Sequence, residues 1–209
     1  MKSSSANKTL MKTVFTGLFT AISFILYLLE FPIIPGNTTL KLDLSDIAAL
    51  VGAISFGPVF GVTVELLKNI LELIFKGVGT QMGYGNLINF IVGCSFIVPF
   101  SLIFRYFLQK PSFAKIKANI IAGFFATVCI IAAGVIVNYF VAPSFFRNFV
   151  HYEIGKEALW GFIGSASILN LIKGIILSVF AYPISQVLNK QLKHIKKDKN
   201  FSLFFQKQA

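Results

Sequence analysis

Residues 46–75 read DIAALVGAISFGPVFGVTVELLKNILELIF, and the number of helices in this run decides the architecture. As one helix it would reach about 45 Å at 1.5 Å per residue, far beyond the ~30 Å hydrocarbon core of a bilayer. Gly57-Pro58 interrupts it, and a proline inside a helix removes a hydrogen bond and clashes with the preceding turn. Gly52, Gly57 and Gly61 cluster at the same place. The run therefore predicts two helices with a tight turn between them. The first is too short to span alone unless it is tilted or shielded by its neighbours.

Outward from this stretch lie four long apolar runs, Val14–Leu29, Leu87–Phe104, Asn119–Val141 and Ala158–Leu188. The chain of 209 residues is 56% hydrophobic and 13% charged, with a mean hydropathy of +0.77. Soluble domains carry nearer ~25% charged residues, so a soluble single core is excluded. The 24 Phe speak against disorder and the two Cys against a disulfide scaffold. The predicted class is an all-α polytopic membrane protein, one membrane domain over 1–209. Its six transmembrane helices are expected at about 13–34, 45–57, 58–76, 85–107, 117–141 and 158–189, followed by a basic tail, 190–209. The first run follows Lys2, Lys8 and Lys12 but is longer than a secretory core of ~7–15 residues and lacks an A-x-A site. It reads as a retained span.

The net charge of +11 does not indicate nucleic acid, because the basic residues cluster between apolar runs as in cytoplasmic loops. With six spans, the N-terminus, the Arg105–Lys117 loop and the C-terminal tail share one side. Together they hold 13 basic residues and one acid, Asp198. The other side carries Lys41, Lys76, Arg147 and Lys156 against Glu30, Asp43, Asp46, Glu153 and Glu157. The bias places both termini in the cytoplasm. Phe31–Ser45 is then external; its alternating Thr38–Leu44 stretch reads as extended, either a lid over a cavity or an interfacial linker. Ala142–Glu157 offers a second, aromatic cover, and the glycine-rich Gly77–Asn86 leads into the fourth span with Asn86 and Asn89.

Charges within a bilayer are expensive and call for a role. Glu65, Lys68, Asn69 and Glu72 fall on one helical face, with Glu65–Lys68 and Lys68–Glu72 able to pair in a structural polar stripe. Asn170 and Lys173 share a face of the sixth span. No acid in that helix's membrane portion neutralises Lys173, so it needs a partner from another helix or a ligand. Asn138 is a further buried-amide candidate; helix–helix glue is the plainer role for any lone Asn. Gly17-x-x-x-Ala21 permits close helix contact in the first span. Cys94 and Cys129 lie alone in apolar runs and suggest neither metal nor disulfide. There is no H-E-x-x-H, G-x-S-x-G or phosphate-loop pattern, so the chain does not read as an enzyme.

The lid-like stretch followed by Leu44-Ser-Asp-Ile-Ala-Ala-Leu50, Gly57-Pro-x-x-Gly61 leading into Glu65-Leu-Leu-Lys-Asn69, the glycine-rich entry to Asn86, Asn138-Tyr-Phe140 and Asn170-Leu-Ile-Lys173 occur in this order. Over about residues 10–190 the chain resembles the substrate-binding (S) components of energy-coupling factor (ECF) transporters, and among them the riboflavin-specific type. The resemblance implies a six-helix bundle in a bacterial cell membrane that binds one vitamin from outside under the loop between the first two helices. It implies no resident cofactor, with riboflavin as the transported ligand. Its partners would be a transmembrane scaffold, met through Gly17 and Ala21, and two ATPases; family members often have alanine at both docking positions. Asn138, Asn170 and Lys173 would read the polar pyrimidine edge of the flavin, where amides donate and accept and lysine donates. Leu40, Lys41, Gly85 and Asn86 would meet the ribityl chain, and Tyr84 and Phe140 would wall the ring. An S component for thiamine, biotin, folate or pantothenate remains open. So do an ion-coupled secondary transporter relaying through Glu65, Lys68 and Glu72, and a ligand-free membrane protein.

Overall fold

The computed structural model describes residues 2–33, 40–77, 83–110, 114–145, 147–148, 151 and 153–195. Among them are six helices: α1 (Lys2–Tyr27), α2 (Asp46–Phe56), α3 (Pro58–Lys76), α4 (Tyr84–Leu108), α5 (Lys115–Phe145) and α6 (Lys156–Ile195). A two-stranded ladder, β1 (Phe31–Pro32) and β2 (Lys41–Leu42), lies between α1 and α2. The break at Gly57-Pro58 has a local cause. Gly57 adopts φ 111° and ψ 159°, a region essentially reserved for glycine, while its N–H closes α2 on Ala53 O at 2.9 Å. Pro58 then opens α3, where its missing N–H has no helical partner to lose.

Helix α2 has eleven residues, about 16 Å of helix, and every one except Ser55 is buried. It packs against α1, α3, α4 and α6, so a helix too short to cross a bilayer alone sits at the centre of the bundle. Four other segments, Leu10–Tyr27, Tyr84–Leu108, Lys115–Ser144 and Lys156–Val187, are long and apolar enough to cross a membrane. The face of α3 bearing Glu65, Lys68, Asn69 and Glu72 lowers its apolar character.

Phenylalanines fill much of the interior. Phe96, Phe100 and Phe104, four apart on α4, are fully buried, with successive ring centroids 5.6 and 5.7 Å apart. Phe19, Phe56 and Phe60 tie α1, α2 and α3 together at 4.7–5.8 Å. Helices α5 and α6 approach through small residues: Gly134 faces the Asn170 amide, and Gly174 faces Thr127.

Helix α1 ends at Tyr27 rather than running on to 34. Pro32 pushes Phe31 towards extended backbone, and the two residues pair antiparallel with Leu42 and Lys41. Glu30, between helix and ladder, accepts hydrogen bonds from Lys41 at 2.9 Å and Lys76 at 2.8 Å. The rest of the expected lid (34–39), most of the glycine-rich entry (78–82) and the tail beyond 195 lie outside the described residues.

Candidate functional site

The start of α2 carries the chemistry. Asp43, Ser45 and Asp46 are buried at or just before its first turn. Glu65, Lys68 and Asn69 recur at i, i+3 and i+4 on α3, which brings all three to one face. Lys68 Nζ donates to Asp46 Oδ1 at 2.9 Å, Glu65 Oε1 at 2.5 Å and Ser45 Oγ at 2.9 Å. From α6, Lys173 Nζ lies 2.9 Å from Asp46 Oδ2 and 3.2 Å from Asp43 Oδ2, and 3.3 Å from Asn89 Oδ1 on α4. Asp46 thus gives one oxygen to each lysine. Gly93 lets α4 pass over this pair, since a Cβ there would sit 2.9 Å from Glu65 Oε1.

Two expectations change here. Lys173 is not a lone charge: of the two ways to satisfy it, an acid from another element or a ligand, the structure shows the first. Asp43 and Asp46 neutralise it because the turn into α2 packs against α6. Its charge alone therefore makes no demand for a ligand. Within the polar stripe, Lys68 pairs with Glu65 but not with Glu72. The latter accepts the Tyr27 hydroxyl from α1, because it lies a turn beyond Lys68 towards the ladder end, where Lys68 has already turned to α2.

The amides form a second group. Asn138 and Asn170 are both buried and meet at Gly134: Asn138 Nδ2 donates to Gly134 O at 2.8 Å, and the Asn170 amide occupies the space a Gly134 side chain would need. Asn138 Oδ1, an acceptor, and Asn86 Nδ2, a donor, are buried without hydrogen-bond partners. Tyr84, two residues before Asn86, packs with Ala142, Leu159 and Ile163. The first residues of α4 and the Asn138 end of α5 therefore belong to the same end of the bundle.

Of the remaining sequence candidates, Leu40 and Gly85 are half-buried. Lys41 is exposed and engaged with Glu30. Phe140 is 69% exposed on the outer face of α5 beside Tyr139, so the structure does not bring it to the amides. Gly17 and Ala21 lie on the outer face of α1, with nothing within 4 Å of the space a Gly17 side chain would take. Asp43, Asp46 and Asn89 are the site residues that spacing did not single out; an aspartate opening an otherwise apolar helix was the available signal. Among the described residues no group of three or more His, Cys, Asp or Glu is placed to hold a metal.

Outside the spans, burial raises the Glu30 carboxyl, but hydrogen bonds and charge from Lys76 and Lys41 outweigh it and hold the group below its usual value.

A family model described as "ECF transporter, substrate-specific component" matches residues 11–185. Riboflavin transporter FmnP of Bacillus subtilis is 31% identical over 171 residues, 80% of this chain and 86% of that protein. Riboflavin transporter RibU of Staphylococcus aureus is 31% identical over 180 residues, 86% of this chain and 90% of that one. A solved structure, described as "Structure and mechanism of the S component of a bacterial ECF transporter", superposes with a TM-score of 0.64 at 29% identity, covering 88% of this chain and 99% of that one.

Proposed function

We propose a function for a chain that belongs to the ECF transporter substrate-specific components: it is the riboflavin-binding S component of a vitamin importer. It captures the vitamin outside the cell and delivers it inward with a separate scaffold and two ATPases. It is a multi-pass membrane protein and not an enzyme. Both termini face the cytoplasm, the side to which the positive-inside rule assigns the basic N-terminus, loop and tail.

The observation that carries the ligand assignment is the complementary pair of unsatisfied amide atoms, an acceptor on Asn138 and a donor on Asn86. Buried polar atoms without partners are costly. An imide edge, with its N–H between carbonyls, offers an acceptor and a donor in one flat group, which is what the flavin pyrimidine presents. Asn170 stands beside Asn138 across Gly134 and supplies a further amide. Lys173 reaches the same edge by exchanging its longest bond, to Asn89 at 3.3 Å, for a ligand carbonyl. Asp43 and Asp46, the latter shared with Lys68, already answer its positive charge, so the site asks for no anionic group on the ligand and suits an uncharged ring system. Leu40, Lys41 and Gly85 serve the ribityl chain and Tyr84 the ring. The names of the relatives point to the same vitamin.

The protein purified in detergent from vitamin-replete cells should be yellow and show a flavin absorption spectrum. A colourless preparation that takes up no added riboflavin would contradict the assignment. Uptake by cells should require co-expressed scaffold and ATPases; uptake by this chain alone would favour an ion-coupled carrier.

A further inference from the structure

We propose that the buried chain of charges binds one proton, held on the Glu65 carboxyl against the Asn69 amide. Five ionisable side chains form a continuous string: Asp43, Lys173, Asp46, Lys68 and Glu65. Three are acids and two are bases, and none is more than 5% exposed. An uncompensated charge among membrane helices is costly. The neighbouring cations do not supply the balance, since Lys41 and Lys76 both engage Glu30 and Lys76 also acts on the Glu72 carboxylate, two cations against two acids. Around Glu65, α2 brings Asp46, α4 brings Gly93 and the Cys94 thiol, α6 brings Lys173, and α3 itself brings Lys68. Only the two lysines already counted are positive.

Asn69 supplies the independent observation. It is 4% exposed, and its Nδ2 donates to Glu65 Oε1 at 3.1 Å and to the Glu65 backbone oxygen at 2.8 Å. The amide is therefore turned onto the carboxyl. Its own Oδ1 and Glu65 Oε2 are both buried without a partner. Two such oxygens only accept unless a proton is added. A proton taken from water onto Glu65 Oε2 converts that carboxylate into a neutral acid, turns one acceptor into a donor beside the Asn69 amide, and leaves two aspartates facing two lysines. A metal cation suits the place poorly, because the Lys68 ammonium already lies 2.5 Å from Glu65 Oε1. The inference rests on the membrane setting of the bundle and is independent of which vitamin is bound.

Infrared spectroscopy of the full chain in lipid at neutral pH tests it. The wild type should show the carbonyl stretch of a protonated carboxylic acid. Glu65→Gln, which has the shape of the acid form, should fold and lose that band, whereas Glu72→Gln should keep it. In Asp46→Asn the remaining two acids face two lysines, so Glu65 should ionise and the band should fade although Glu65 is still present. A wild type without the band overturns the proposal, as does a band that survives Glu65→Gln or disappears in Glu72→Gln. If Asp46→Asn does not fold, the wild type and the two glutamine variants still decide; if it folds with the band undiminished, the charge balance is wrong.

Discussion

Asp46 opens a helix and serves two lysines from two other helices, one through each carboxylate oxygen. Removing one partner of a buried ion pair costs up to about 3–5 kcal/mol, and here Lys68 and Lys173 would each fall back on a single carboxylate, Glu65 and Asp43. Asp46→Ala should therefore lower the melting temperature in detergent markedly. Asp43→Ala should cost less, since Asp43 touches only Lys173 among the lysines. The amides follow a different rule. Losing a hydrogen bond to a buried ligand atom costs about 1–3 kcal/mol, so Asn138→Ala and Asn170→Ala should each weaken riboflavin binding roughly 5- to 150-fold with little effect on the melting of the ligand-free protein. Equal affinity in both variants would remove the amides from the site. At this scale the sequence was only partly readable. Helical spacing exposes neighbours three and four apart, hence Glu65–Lys68, but Asp43 and Lys173 are 130 positions apart, and no local periodicity joins them.

Among the elements, the α2–α3 turn was legible because Gly-Pro is punctuation with a mechanism. The structure adds that Gly57 holds a backbone conformation other residues avoid. Gly57→Ala should cost about 1–3 kcal/mol, seen as a lowered melting temperature; an unchanged one would show that the turn adapts freely. The early end of α1 was legible only in part: the apolar run stops at Leu29 and Pro32 follows, but the ladder that pairs Phe31–Pro32 with Lys41–Leu42 joins residues about ten positions apart, which no local pattern reveals. The Glu30 clamp that holds this ladder against α3 should be pH-dependent. Its carboxyl is depressed in the folded protein, so its contribution is present above the usual carboxylate value and is lost as pH falls through the lower folded value. Wild type should lose more stability than Glu30→Gln on acidification through that window, and parallel melting curves for the two would contradict the clamp.

For the whole molecule, composition and the charge count between spans already implied a six-helix membrane bundle, because hydrocarbon imposes one rule on every residue it touches. What they could not convey is the nesting of α2 inside the other helices, which depends on the shapes of Gly52, Gly61 and the phenylalanines around them. The outer face of α1 remains open at Gly17 and Ala21, where a scaffold helix can approach closely. Gly17→Leu should leave riboflavin binding intact and reduce uptake severalfold in cells that supply the scaffold and ATPases; normal uptake would move docking elsewhere. The account as a whole stands on the vitamin itself. Titrating riboflavin into the purified, ligand-stripped protein should quench flavin fluorescence saturably at one vitamin per chain, and a titration without quenching at any riboflavin concentration would contradict it.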